Sequence, residues 1–213
     1  MGSKQTRLLV TGGAGFIGSN FIHHILKTRP HVEITNLDKL TYAGNLRNLE
    51  GVEKAYPGRY RFVRGDIGDA KIVSDLVKNV DAVIHFAAES HVDRSILDAS
   101  AFIETNVKGT LVLLNCVLAG NPKARFVHVS TDEVYGSLSA TDPAFSEETP
   151  IAPNSPYSAS KAGSDFLVRA FVHTHKLDSL FSLCSNNYGL YPFPVFLFSF
   201  MFINALESNP LPF

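Results

Sequence analysis

Tyr157 and Lys161 stand four residues apart in Tyr157-Ser158-Ala159-Ser160-Lys161. At that spacing both side chains lie on one face of a helix, one turn apart. A phenol titrates near a pH of about 10 and is a poor base, but a neighbouring ammonium favours the phenolate. Such a pair can take a proton from a hydroxyl while hydride leaves the same carbon. Upstream, Ser130-Thr131-Asp132-Glu133-Val134-Tyr135-Gly136 closes an apolar run with two adjacent acids, a candidate acid and base pair.

A third constellation lies near the amino terminus. Thr11-Gly12-Gly13-Ala14-Gly15-Phe16-Ile17-Gly18 fits two registers, GxGxxG through Gly13, Gly15 and Gly18, and GxxGxxG through Gly12, Gly15 and Gly18. Both ask for glycine because a side chain would hold the backbone away from a pyrophosphate, which the amino end of a helix attracts. Asp38 follows Gly18 by 20 residues, where an acid accepts hydrogen bonds from the adenosine ribose. Its charge would repel a 2′-phosphate and favours NAD over NADP, with Lys39 beside it pulling the other way. Asp66 and Ile67, and then Phe86, Ala87, Ala88, Glu89 and Ser90, fall at the ends of later apolar runs and are placed to cover adenine and the nicotinamide ribose.

These residues need a scaffold that collects strand ends. Short apolar runs at 7–11, 33–37, 60–64, 81–86, 125–130 and 180–184 read as buried strands. Between them, apolar residues recur at helical spacing: Ile17, Phe21, Ile22, Ile25 and Leu26; Ile72, Val73, Leu76 and Val77; Phe102 to Leu118; Phe166, Leu167, Ala170 and Phe171. This alternation predicts an α/β fold, a doubly wound parallel sheet whose ligands bind beyond the carboxyl ends of the strands. The longest irregular stretch, 131–156, carries four prolines and is long enough to be a functional loop over the site.

Composition bounds the partners. The 213 residues are 45% hydrophobic and 18% charged, which excludes a disordered, collagenous or coiled-coil chain. A formal charge of −1 without charge runs disfavours nucleic acid or an acidic membrane. Cys116 and Cys184 form no disulfide framework and read as small core residues of a reducing compartment. The histidines lack metal-ligand spacing. Met1 to Thr6 lacks the apolar core of a signal peptide, fits a permissive myristoylation pattern, and leaves the cytoplasm as the expected location. The run 195–203 is too short to span a bilayer. With Phe193, Phe196, Phe198, Phe200, Phe202 and Phe213 it forms an apolar tail that must be covered by something or associate with itself.

The motifs together resemble the dTDP-glucose 4,6-dehydratase family of the extended short-chain dehydrogenase/reductase group. The resemblance runs over 7–189, through Thr11–Gly18, Asp38-Lys39-Leu40-Thr41-Tyr42-Ala43-Gly44-Asn45-Leu46, Ala87 to Ser95, Glu104-Thr105-Asn106, Ser130–Gly136, Tyr157–Lys161 and Cys184-Ser185-Asn186-Asn187-Tyr188-Gly189. Its most specific element is Thr131-Asp132-Glu133, which related 4-epimerases lack. The resemblance implies that Tyr157, tuned by Lys161 and helped by Thr131, takes the proton of a sugar 4-hydroxyl as hydride passes to NAD. Glu133 then removes the hydrogen on carbon 5 and Asp132 protonates the departing 6-hydroxyl. Ser90, Thr131 and Asn186 would touch the nucleotide-sugar. Leu40, Thr41, Thr105 and Asn187 would join the glycines, Phe16, Ile17, Asp38, Lys39, Asp66, Ile67, Phe86 to Ala88, Ser90, Tyr157 and Lys161 at the cofactor. A homodimer through helix pairs is implied as well.

Two departures from the family pattern bear on the substrate. Gly189-Leu190-Tyr191-Pro192-Phe193-Pro194-Val195-Phe196 stands where the family carries a Glu and a Lys that help hold the diphosphate, and Leu183 stands where it usually has arginine. The expected organisation is an NAD-binding and catalytic domain at 1–189, with 190–213 only the start of a substrate-binding region. A nucleotide-sugar 4-epimerase and a catalytically silent NAD-binding fragment are the competing readings.

Overall fold

The computed structural model describes residues 5–192 and 197–210. Phe193, Phe196, Phe213 and the first four residues, including most of the myristoylation pattern, lie outside the described residues, as does the side chain of Phe198.

Six strands form one parallel sheet: β1 (Thr6–Thr11), β2 (Val32–Asp38), β3 (Tyr60–Arg64), β4 (Ala82–His85), β5 (Arg125–Thr131) and β6 (Ser179–Cys184), in the order β3-β2-β1-β4-β5-β6. The helices are α1 (Phe16–Thr28), α2 (Val52–Ala55), α3 (Ala70–Val77), α4 (Val92–Leu97), α5 (Ser100–Phe102), α6 (Thr110–Gly120), α7 (Pro156–His175) and α8 (Leu197–Leu206). This is the doubly wound, Rossmann-like arrangement that alternation predicts. Strand order reverses at β1, so β1 and β4 diverge there and open a crevice at their carboxyl ends. Thr11 lies opposite both Leu37 and His85, which levels three strand ends at that crevice. β5 continues past its last pairing with β4, at His128, to Thr131. That overhang carries the Ser130-to-Glu133 segment over the rim.

The period of two along β1 sends Leu9 to one face and Val10 to the other. Leu9 joins Val73 and Val77 of α3, Val83, Leu113, Leu114 and Val117 of α6, Phe126, and Val168 of α7. Val10 joins Ile22 and Leu26 of α1, Val32, Ile34 and Tyr60. Each fully buried aliphatic side chain contributes about 1.5–3 kcal/mol, which fixes the sheet on which the strand ends sit. The helical run Ser100–Gly120 is long and apolar enough by composition to cross a membrane, but its α6 part buries Leu113, Leu114 and Val117 against α3, α7 and the sheet.

Three expectations are corrected. β6 is not a buried strand: it is the sheet edge, and Leu180 and Phe181 are exposed because nothing pairs beyond it among the described residues. β3, the opposite edge, likewise exposes Arg61 and Arg64. Phe166 is 54% exposed, because α7 turns its polar side inward, burying Ser158, Ser160, Lys161, Ser164 and Asp165 beside β5. The long irregular stretch does not cover the cleft either. After a 3-10 turn at Asp132–Tyr135 it is mostly exposed, and only 131–133 line the site.

The start of α7 is built by its sequence. Ser155 accepts a 3.0 Å hydrogen bond from Ser158 N, Ser158 Oγ accepts one of 3.0 Å from Ser155 N, and Pro156 occupies the first turn, which needs no N–H donor. Ser155→Ala is therefore expected to cost about 1 kcal/mol, read as a lower melting temperature. Tyr157, in the same turn, should show the loss in its ring environment.

Candidate active site

A cleft of about 330 Å³ opens at the carboxyl ends of the strands, and the two halves of the predicted chemistry meet in it. Of the expected site residues, Leu40 and the alternative-register glycine, Gly13, do not line it. Leu40 takes a positive φ of 58° and donates its N–H to Asp38 Oδ1 at 2.8 Å, so it shapes the turn instead.

Gly12, Gly15 and Gly18 line the cleft and Gly13 does not, so the GxxGxxG register is the one that faces it. Gly12 has φ +73°, and a Cβ there would sit 2.5 Å from Ala87 N. The loop after β1 thus lies directly on the loop after β4. Gly13 is spent internally, its N–H donating to Asn36 Oδ1 at 3.1 Å. The α1 N-cap is Gly15, with no side-chain cap and no acid in the first turn. Its positive dipole end, flanked by Phe16 and Ile17, is left for an anion in the cleft. A pyrophosphate fits this cradle.

Asp38 is buried, with Oδ2 accepting from Ala14 N at 2.9 Å, so the second strand and the glycine loop are tied together. Lys39 does not wait for a phosphate: its Nζ lies 2.7 Å from Asp66 Oδ2. Burial pushes the Asp66 carboxyl up, but Lys39 and the N–H of Gly68 outweigh it and hold it below the usual range. Thr41 and Ile67 complete this end. Phe86, Ala87, Ala88 and Ser90 line the middle, with Thr105 opposite. Tyr42 fastens this wall, its hydroxyl donating to Ser90 O at 2.7 Å while the Arg94 guanidinium lies 3.9 Å over its ring.

At the far end stand Thr131, Asp132, Glu133, Tyr157, Lys161, Asn186 and Asn187. Thr131 Oγ1 accepts from Glu133 N at 3.3 Å and donates to Asp132 Oδ1 at 3.4 Å, holding the acid pair against the strand end. Burial, and then the Asp132 charge, pushes the Glu133 carboxyl above its ordinary range, as suits a base near neutrality. The tyrosine differs from expectation. Its phenol is pushed up rather than down, by burial and then by the charge of Glu133, with the hydrogen bond to Thr131 the opposing influence. Lys161 does not tune it directly, because Nζ donates to Val129 O at 2.8 Å. Cys184 also departs from the core role: it is half-buried and lines the cleft, while Cys116 is core.

Sequence reasoning gave no role to several buried groups. Asn106 sits in a π-helical stretch, Ile103–Gly109, between α5 and α6, a distortion frequent at functional sites. Its Oδ1 accepts from Glu89 N at 2.8 Å, and its Nδ2 donates to Glu89 O at 2.9 Å and Ser160 Oγ at 2.8 Å. His85 bridges Thr11 Oγ1 and Thr110 Oγ1 at 2.7 and 3.0 Å. No spacing rule marks an amide or imidazole whose partners come from two other segments of the chain.

The GDP-mannose 4,6 dehydratase family profile matches residues 9–204. The chain belongs to this family. Among curated relatives, the dTDP-glucose 4,6-dehydratase of Xanthomonas campestris is 53% identical over 214 residues, covering 96% of this chain and 60% of the relative. That of Streptomyces niveus is 49% identical, covering 97% and 61%. Among solved structures, the dTDP-glucose 4,6-dehydratase DesIV of Streptomyces venezuelae with NAD bound superposes at a TM-score of 0.92, with 51% identity, covering 97% of this chain and 64% of that one. A UDP-glucuronic acid 4-epimerase of Bacillus cereus in complex with NAD is similar at 0.87 but only 28% identical, covering 97% and 64%. The chain spans about 60% of the length of the curated relatives it matches.

Proposed function

We propose that this chain carries the NAD-binding and catalytic part of a dTDP-glucose 4,6-dehydratase, which converts its substrate to the 4-keto-6-deoxy sugar nucleotide. The observation that carries the reading is the convergence of Asp132, Glu133 and Tyr157 in the cleft that also holds the glycine cradle. Residues 1–189 form the cofactor and catalytic domain in this reading, and 190–213 begin a substrate-binding region.

Gly12, Gly15 and Gly18 would hold the NAD pyrophosphate, Asp38 its adenosine ribose, and Lys161 and Thr105 the far end. NAD, when bound, supplies an acceptor for the hydride on carbon 4 and a donor for its return. Tyr157 takes the proton of the 4-hydroxyl, with its hydrogen bond to Thr131 opposing the rise that burial imposes on the phenol. Glu133 takes the proton on carbon 5, which the 4-ketone makes acidic. Asp132, held by Thr131 at the other side of the pair, delivers a proton to the departing 6-hydroxyl, and water leaves; hydride would then return at carbon 6 while Glu133 gives its proton back to carbon 5. Ser90 and Asn186 orient the sugar. The acid pair favours this reading over epimerisation, and the greater identity to the dehydratases supports the same choice.

The protein acts as a cytoplasmic homodimer in this reading. Ile96, Leu97, Ile103 and Phe166 are exposed on α4, the π-helical stretch and α7, which pack together, and they supply an apolar helical face for a second copy.

The test is the purified chain incubated with dTDP-glucose, following the 4-keto product and measuring bound NAD. Both are expected. Bound NAD without product overturns the dehydratase reading in favour of a silent cofactor-binding unit, and no NAD overturns both.

A further inference from the structure

α7 carries Tyr157, Lys161 and Asp165 at i, i+4 and i+8, one stripe along the helix. Lys161 and Asp165 are 4% and 5% exposed, so two groups of opposite formal charge share one buried turn. Their hydrogen bonds do not account for those charges. Lys161 Nζ donates to Val129 O, a neutral carbonyl. Asp165 Oδ2 accepts from Ser130 Oγ at 2.8 Å, while Oδ1 is buried and accepts no hydrogen bond. His128 Nε2 lies 3.0 Å from Oδ1 but is turned off the hydrogen-bonding direction and meets Ser164 Oγ at 3.2 Å.

We propose that Asp165 is a positioning residue: it is the buried counter-charge that holds Lys161 as an ammonium in the wall of the cleft. The proposal rests on the reading of Lys161 as a residue of the cofactor end of the cleft, and it assigns the charge state of Lys161 to a residue outside the cleft. The groups facing Lys161 leave Asp165 as the source. From β5 comes His128, from β4 His85, from β6 the Cys184 thiol, and from α7 itself Asp165. Both imidazoles are buried and held well below their ordinary pKa, so they stay neutral. The Glu133 charge acts on Tyr157 and is not among the influences on Lys161. Burial drives Lys161 down to about 8, with Asp165 the chief influence in the other direction. Burial raises Asp165 to about 6, with Ser130 and then Lys161 opposing. Between those values both groups are charged and each supports the other. An ammonium bound only to a carbonyl would otherwise shed its proton on burial.

The experiment reads Lys161 directly. In protein labelled with 13C at the lysine ε-carbon, the Lys161 resonance is assigned by its loss in Lys161→Met and titrated without substrate or cofactor. Asp165→Asn keeps the acceptor for Ser130 and removes the charge, and is expected to lower the Lys161 midpoint by at least about one pH unit, with Asp165→Glu restoring it. An unchanged midpoint in a folded Asp165→Asn variant overturns the proposal, leaving Asp165 as a mere tie between α7 and β5. If that variant does not fold, Ser130→Ala serves: it removes the O–H that keeps Asp165 ionised, and the midpoint must fall in the same direction or the proposal is wrong. Because no turnover is measured, a failed dehydratase assay and a failed titration are separate results.

Discussion

Glu133→Gln is expected to leave the fold and the cofactor cradle intact while lowering formation of the 4-keto product by about 10²–10⁴-fold. The amide keeps the size of the side chain and the backbone bond to Thr131 Oγ1, but cannot accept the carbon-5 proton. The pH profile gives a second readout. Glu133 is a base only when ionised, so activity falls as pH drops through its value, and burial followed by Asp132 places that value above the ordinary carboxylate range. Asp132→Asn removes one of the two causes. The acidic limb should therefore move to lower pH, in addition to any loss from the missing proton donor. Undiminished product in Glu133→Gln, or an acidic limb that moves upward in Asp132→Asn, would sink the assignment of roles.

Gly18→Ala should act on the cofactor rather than on the chemistry. In an ordinary helix interior this change stabilises by about 0.5–1 kcal/mol. Here the new methyl would be driven into Gly12 O and to 2.7 Å from Gly13 Cα. Gly12 has nowhere to retreat, because its own Cβ position is already taken by the Ala87 backbone. Overpacking of this kind costs about 1–3 kcal/mol, and displacement of the cradle is expected to weaken NAD binding by about 10- to 100-fold. Titration calorimetry beside a melting curve measures both. Gly68→Ala, whose methyl would make only ordinary contact with Asp66, is the control. Equal affinities in the two variants would mean that the loop is not the cradle.

The scaffold was legible in the sequence because parallel strands covered on both faces are continuous apolar runs, and Tyr60–Arg64 matches its predicted bounds. Edge position is a property of the assembled sheet, so the exposure of Leu180 and Phe181 was not visible. The polar inner side of α7 hid for a related reason. Apolar periodicity points toward a hydrophobic neighbour, whereas Lys161, Ser164 and Asp165 turn toward a strand end dense in hydroxyls and imidazoles. Spacing brought Tyr157 and Lys161 to one helical face, but whether the ammonium reaches the phenol or a carbonyl depends on Val129, a residue of another element. The glycine loop shows the same limit: two registers fit its letters, and the approach of Ala87 selects between them.

Asn106 gives the cleft a property beyond the residues that line it. One amide fastens the backbone of Glu89 in one wall to Ser160 on the helix that carries Tyr157. The spacing between those walls is thus fixed by a part of the molecule that no ligand has to touch. A ligand entering there finds its contact points already assembled, and less of its binding energy is consumed in ordering the protein around it.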